Sequence, residues 1–153
     1  MKRTLLSICL LLLACSVFGA DTNSPAPASG SLTVYIYGLR STDGHVRVAL
    51  FPDKSGFPSD SKKALIVGVI KGADGRAGVR FDNIPPGTYA VACYHDENDN
   101  KELDEDQHFK PTEGYGISRD AKGTFGPPKF GDAKFEFSGA SQTLNINLHY
   151  PKK

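Results

Sequence analysis

The stretch Leu32-Thr33-Val34-Tyr35-Ile36-Tyr37 alternates aliphatic residues with polar or aromatic ones at every second position. That period matches a β-strand with one face in a core and one face in water. The same pattern returns along the chain. Ser41-Thr42-Asp43-Gly44 reads as a turn into His45-Val46-Arg47-Val48-Ala49-Leu50-Phe51, so the first two runs are expected to form a hairpin. A polar loop, 52–63, separates them from Ala64 to Ile70. Ala73-Asp74-Gly75 then turns the chain into Ala77 to Phe81, and Pro85-Pro86-Gly87-Thr88 leads into Tyr89 to His95. Lys134 to Phe137 and Thr143 to Tyr150 close the series. In the last run Leu144, Ile146 and Leu148 face one way and Asn145, Asn147 and His149 the other. The expectation is an all-β domain, an antiparallel β-sandwich of about seven strands, with one long ordered loop.

The front of the chain bears on compartment. Met1-Lys2-Arg3 is basic, and Leu5 to Val17 is apolar apart from Ser7 and Ser16. This reads as a secretory signal peptide over residues 1–20, too short for a transmembrane helix of about 20 apolar residues. An alternative is Leu12-Leu13-Ala14-Cys15, which resembles a lipobox and would make Cys15 a lipid anchor. Residues 21–31, with Ser24-Pro25-Ala26-Pro27-Ala28-Ser29-Gly30 inside them, read as a flexible linker to a domain at 32–153. The expected location is secreted or periplasmic, with membrane attachment only through Cys15. Eighteen basic against seventeen acidic residues give no basic stripe, so nucleic acid is not an expected partner. With Cys9 and Cys15 in the leader, Cys93 stands alone, and no disulfide framework is expected.

Between the fifth and sixth runs lies a connection from Asp96 to Ala133. Its length marks it as functional or disordered, and its aromatic residues, glycines and prolines favour an ordered loop. It begins with Asp96-Glu97-Asn98-Asp99-Asn100-Lys101-Glu102-Leu103-Asp104-Glu105-Asp106. Asp96, Asn98, Asn100, the carbonyl of Glu102 and Asp104 fall at alternate positions, the arrangement of hard oxygen ligands that Ca²⁺ takes. Two residues depart from an EF-hand loop. Lys101 stands where the turn glycine belongs, and Gln107 where a bidentate Glu would close the shell, leaving Glu105 or Asp106 to supply a carboxylate. The competing reading is a solvated loop of Asx-turns. A zinc set of His95, His108 and Asp96 and a ligand platform of Tyr115 and Phe125 are further options.

Several phrases carry a resemblance. Ile84-Pro85-Pro86-Gly87-Thr88-Tyr89 resembles the lead-in of transthyretin-like and collagen-adhesin B-type sandwiches, of immunoglobulin-like architecture. His95-Asp96-Glu97-Asn98, Leu103-Asp104, Glu113-Gly114-Tyr115-Gly116-Ile117-Ser118 and Gly123-Thr124-Phe125-Gly126-Pro127-Pro128-Lys129-Phe130, followed by Asp132-Ala133, resemble domain-of-unknown-function family 2141 of bacterial secreted proteins. That resemblance implies export and a β-sandwich, with no established activity. The functional expectation is an exported, non-catalytic binding or structural module with a Ca²⁺-stabilised loop at 96–106. The alternative is a small metal- or His/Asp-dependent hydrolase using His95 and neighbouring carboxylates.

Overall fold

The structure is a computed structural model and describes residues 29–124 and 126–151. The leader, most of the linker and Phe125 lie outside the described residues. Among the described residues eight strands form: β1 (Gly30–Tyr37), β2 (His45–Phe51), β3 (Ile66–Ile70), β4 (Arg76–Ile84), β5 (Gly87–Asp96), β6 (Gly114–Ile117), β7 (Phe135–Phe137) and β8 (Gln142–Asn147). One sheet runs β4-β1-β8. The other runs β3-β2-β5-β6, with β7 pairing the start of β5. All pairs are antiparallel except β1 with β8. The expected all-β sandwich is therefore the fold, with one parallel pair and one strand more than expected.

The extra strand, β6, lies inside the long connection. Its sequence, Gly-Tyr-Gly-Ile, is short and half glycine, so period-two reasoning passes over it. The glycines are there because β8 crosses close by. A Cβ on Gly116 would stand 2.6 Å from Ile146 Cγ2, and one on Gly114 would stand 2.4 Å from the Tyr150 ring.

The expected β1–β2 hairpin does not form, because the two strands belong to different sheets. Both need a core face, and crossing over sets those faces opposite each other. Leu32, Val34 and Ile36 thus meet Val46, Val48 and Leu50 in one buried cluster with Val91 and Ile146. Leu39, in the connection, is buried in the same cluster. The amides of Gly38 and Leu39 both donate to Gly75 O at 3.0 Å, which ties the crossing to the turn before β4. Period two reports which way a side chain points and says nothing about which sheet holds the strand.

A second apolar cluster lies on the outer face of the five-stranded sheet. Ala49, Phe51, Ala90, Ala92 and Ile117 are covered there by Ala133 and by Phe57 and Phe130. Phe57 sits edge-on between Phe51 and Phe130, with centroids 5.4 and 5.8 Å away. The short helix α1 (Phe130–Ala133) thereby folds the end of the long connection back onto the sheet. Ser118 anchors it: its Oγ accepts from Val91 N at 2.9 Å and donates to Ala133 O at 2.7 Å, fully buried. Phe109, one of the aromatic residues behind the expected ordered connection, does not pack into it and is 85% exposed.

Ser118→Ala is expected to strand two buried backbone groups and cost about 2–4 kcal/mol. Gly116→Ala overpacks against Ile146 and is expected to cost about 1–3 kcal/mol. Urea unfolding measures both, and a change under 0.5 kcal/mol in either would contradict the role given to that residue.

Candidate functional site

The acidic loop starts where β5 ends, and its first residue is its most buried. The Asp96 carboxylate is fully enclosed. Its Oδ2 accepts from Arg47 Nε at 2.5 Å and from Lys101 N at 3.0 Å, while Oδ1 is buried without a hydrogen-bond partner among the described residues. Arg47 comes from β2, where register places it opposite Tyr94 and His45 opposite Asp96. Tyr94 Oη donates to Lys101 O at 2.8 Å. Both backbone groups of Lys101 are thus held, in a left-handed conformation with φ 73°. A calcium loop uses glycine for this turn; here the turn exists with lysine in it.

The other expected ligands are already engaged with one another. The side-chain amides of Asn98 and Asn100 each donate to Asp104, to Oδ2 and Oδ1, both at 2.7 Å. Their carbonyl oxygens accept from the backbone two residues on, Asn98 from Asn100 N at 3.0 Å and Asn100 from Glu102 N at 2.9 Å. These are Asx-turns. Asp106 makes its own turn, accepting from His108 N and Lys110 N, bonds that lower its pKa. Asp99 pairs with His45 Nδ1 at 2.6 Å.

Glu113, just before β6, closes the loop. Its Oε1 accepts from Glu97 N at 2.8 Å and its Oε2 from Asp104 N at 3.2 Å. Burial raises its pKa even against those two bonds. Glu97 titrates the other way. Arg40 grips both its oxygens, with Nε at 2.9 Å from Oε1, and that contact lowers its pKa. The Arg40 guanidinium also lies over the Tyr150 ring, 4.5 Å from its centroid.

His95 is built into this end of the core, 1% exposed. Its Nε2 meets Asp43 O at 2.8 Å, which only a protonated nitrogen can satisfy, and Nδ1 then accepts from Tyr150 Oη at 2.6 Å. With both nitrogens committed, His95 offers no free base. Cys93, two residues earlier, donates to Gly116 O at 3.4 Å, and burial pushes its thiol up to about 12. That is the setting of an inert core cysteine. His108 lies on the surface near Asp106, so the zinc set does not assemble. Among the described residues no three His, Cys, Asp or Glu side chains gather as metal ligands, a count that leaves out the asparagines and carbonyls of the calcium set.

Tyr115 is half-buried on β6, its ring 6.5 Å from that of His149. The other member of the expected platform, Phe125, lies outside the described residues. An open recess of about 920 Å³ near Phe57, Pro127, Pro128 and Phe130 does not include Tyr115. Sequence reasoning missed Arg47, Arg40, Tyr150 and the role of Glu113. The one local signal was the pair of glycines at 114 and 116, a spacing that marks close approach on one face of a strand.

Arg47→Met leaves the Asp96 carboxylate buried without its counter-charge and is expected to cost about 3–5 kcal/mol in chemical denaturation at neutral pH. Glu97→Gln is a milder change, because Arg40 is 40% exposed and solvent weakens the pair, so about 0.5–1 kcal/mol is expected. Glu97 has a folded-state pKa below its ordinary 4.5. Its contribution is therefore present above that pH and is lost as pH falls through the folded value. Wild type and Glu97→Gln are expected to differ at pH 7 and converge at low pH. A difference that grows on acidification would contradict the assignment.

No curated protein matches the chain. Among solved structures, the pilus-presented adhesin Spy0125 (Cpa), in its P212121 form, is similar at 14% identity and a TM-score of 0.28, covering 82% of this chain and 28% of that one. A cysteine-to-alanine mutant of the same adhesin matches at 15% identity and a TM-score of 0.28, covering 84% and 29%. The chain thus spans less than a third of the adhesin, and at that TM-score the likeness carries no argument. The family match is more extensive, running over residues 34–145 from the first strand to the last and taking in the acidic loop, Glu113 and the Gly-Tyr-Gly strand. On that match the chain belongs to the bacterial family described as "Uncharacterized protein conserved in bacteria (DUF2141)".

Proposed function

We propose that the chain is an exported, non-catalytic binding or structural module whose acidic loop takes up Ca²⁺ as a weak structural ion. The observation that carries the calcium reading is Asp96 Oδ1, an anionic oxygen buried with no hydrogen-bond partner among the described residues, at the first position of the ligand pattern. An orphaned buried carboxylate oxygen is costly, and a cation is the partner that relieves it most. The left-handed turn at Lys101 supports the same reading, since a calcium loop bends at this position. The amide hydrogens of Asn98 and Asn100 supply the positive partner of Asp104. Rotating both amides by half a turn exchanges those hydrogens for oxygens at the loss of the two Asx-turn bonds, a cost that coordination of the ion would have to offset. When bound, the ion would be held by Asp96, Asn98, Asn100, the Glu102 carbonyl and Asp104, and would supply only charge and coordination.

Two positive groups limit the affinity. Arg47 already neutralises Asp96, and the turn residue is itself a lysine. The expected dissociation constant is therefore in the extracellular range of about 10⁻⁴–10⁻³ M. The basic and apolar leader supports delivery to a compartment where calcium reaches that level. The non-catalytic half of the reading is supported by the full engagement of His95 and by the buried, protonated Cys93. The competing hydrolase needs His95 as a free base, and both its nitrogens are in use.

Calorimetric titration and thermal melting with CaCl₂ test the proposal, with MgCl₂ as control. A dissociation constant of about 1 mM gives about 1.4 kcal/mol at 10 mM Ca²⁺. That corresponds to a rise in melting temperature of roughly 5 °C. Asp104→Asn is expected to lose the effect while remaining folded. Asp96→Asn is the more drastic variant, because it also breaks the Arg47 pair. Absence of both binding heat and a melting shift at 10 mM would overturn the calcium reading and leave the loop held by its own hydrogen bonds.

A further inference from the structure

The outer faces of the two sheets differ. The face of the five-stranded sheet is covered at one end by the Phe57–Phe130 cluster and at the other by the acidic loop, and its edge strand β3 leaves Val67 and Val69 exposed. The outer face of the three-stranded sheet carries side chains that no described segment covers. Register defines it. Tyr35 lies between Gly78 of β4 and Asn145 of β8, and Tyr37 between Arg76 and Asn147. In the next row Thr33 lies between Arg80 and Thr143. These nine positions hold two aromatic rings, two guanidiniums, two amides and two hydroxyls, with neither a carboxylate nor an aliphatic side chain among them.

The two tyrosines are 42% and 38% exposed, with ring centroids 6.5 Å apart. Tyr35 is seated by its neighbour. A Cβ on Gly78 would stand 3.0 Å from Tyr35 Cδ1, so the missing side chain lets the ring settle onto the sheet. A shallow recess of about 520 Å³ opens beside the rings, between Tyr37, Ile70, Lys71, Asp74 and Arg76. Arg80 is shared with Asp82 at 2.8 Å, whereas Arg76 makes no ion pair among the described residues.

We propose that this face binds an acidic polysaccharide, a glycan chain carrying uronate carboxylates. The rings offer flat apolar surfaces to the C–H faces of pyranose units, and their hydroxyls remain available for hydrogen bonds. Asn145, Asn147 and the threonines offer donors and acceptors suited to sugar hydroxyls. Arg76 supplies a free guanidinium whose fork matches a carboxylate. An apolar protein partner would need aliphatic contacts that the face lacks. Single-stranded nucleic acid also stacks on aromatic rings, and the oligo(dT) control separates it from the glycan. Both tyrosines stand on β1, the central strand of the sheet, so their backbone is held from both sides before any ligand arrives. This site goes beyond the calcium loop and does not rest on it.

Affinity electrophoresis of the full chain through gels containing polygalacturonate tests the proposal, with dextran as a neutral control and oligo(dT) as a nucleic-acid control. The wild-type protein is expected to be retarded by polygalacturonate and not by dextran, with or without EDTA. Tyr35→Ala and Tyr37→Ala are each expected to weaken retardation at least about tenfold. Arg76→Gln is expected to weaken it too, and Val69→Ala, on the other sheet, to leave it unchanged. All four positions are exposed, and melting curves matched to wild type establish that the variants are folded. Absence of retardation by polygalacturonate overturns the proposal. So does retardation that survives the tyrosine substitutions in folded protein, or tighter binding of oligo(dT). Calcium binding is read separately, so either proposal can fail alone.

Discussion

The carboxylate of Asp96, buried at the last position of β5, is the constraint around which the functional end of this protein is organised. A buried carboxylate needs compensation, and it is met by Arg47 from the neighbouring strand and by the amide of Lys101 from the loop. The first contact fixes how β2 and β5 present their ends. The second bends the chain back at Lys101 and so decides where the loop goes. Replacing such a pair by apolar groups need not destabilise a protein, so its value here lies in the path it imposes.

From that point the loop is pinned at short intervals. Ordering backbone costs about 1–2 kcal/mol per residue, so a stretch from Glu97 to Glu113 forms only with regular compensation. Glu113 receives the amides of Glu97 and Asp104, Asp104 receives the side chains of Asn98 and Asn100, and Thr112 N returns to Asp104 O at 2.7 Å. Arg40 and Tyr150 close the outside of the turn against Glu97 and His95. The Glu-Gly-Tyr-Gly-Ile-Ser phrase acquires a physical meaning from this. Glu113 holds the loop, Gly114 and Gly116 make room for Tyr150 and Ile146, and Ser118 ties the chain to β5 and α1.

Much of the fold was legible because alternation is a local signal. The inward residues of β1 and β8 follow directly from period two, as does the all-β class. Which sheet each strand joins was not legible, because the crossing between β1 and β2 depends on Leu39 finding the core and on a bond to Gly75. In the candidate site, the alternating oxygens and their Asx-turns were readable from spacing alone. Arg47 was not, since in Val46-Arg47-Val48 it has the pattern of an ordinary solvent-facing residue. Only the β2–β5 register brings it to Asp96. Tyr150 is 55 residues from His95, and no local pattern could join them.

The two sheets divide the work of the domain. The five-stranded sheet spends its outer face on holding the long connection, through aromatic packing at one end and a buried charge pair at the other. That connection in turn supplies β6, which packs over β8 from across the core through Gly116. The three-stranded sheet, which no described segment covers, keeps a regular outer face whose rows are set by strand register. A face of that kind changes with single substitutions without disturbing the core behind it, because inward and outward residues alternate. The loop lacks that freedom, since Asp96, Glu113 and Asp104 each hold several partners at once. Variation in what such a module binds is therefore easiest on the open sheet, and variation in its stability is concentrated in the loop.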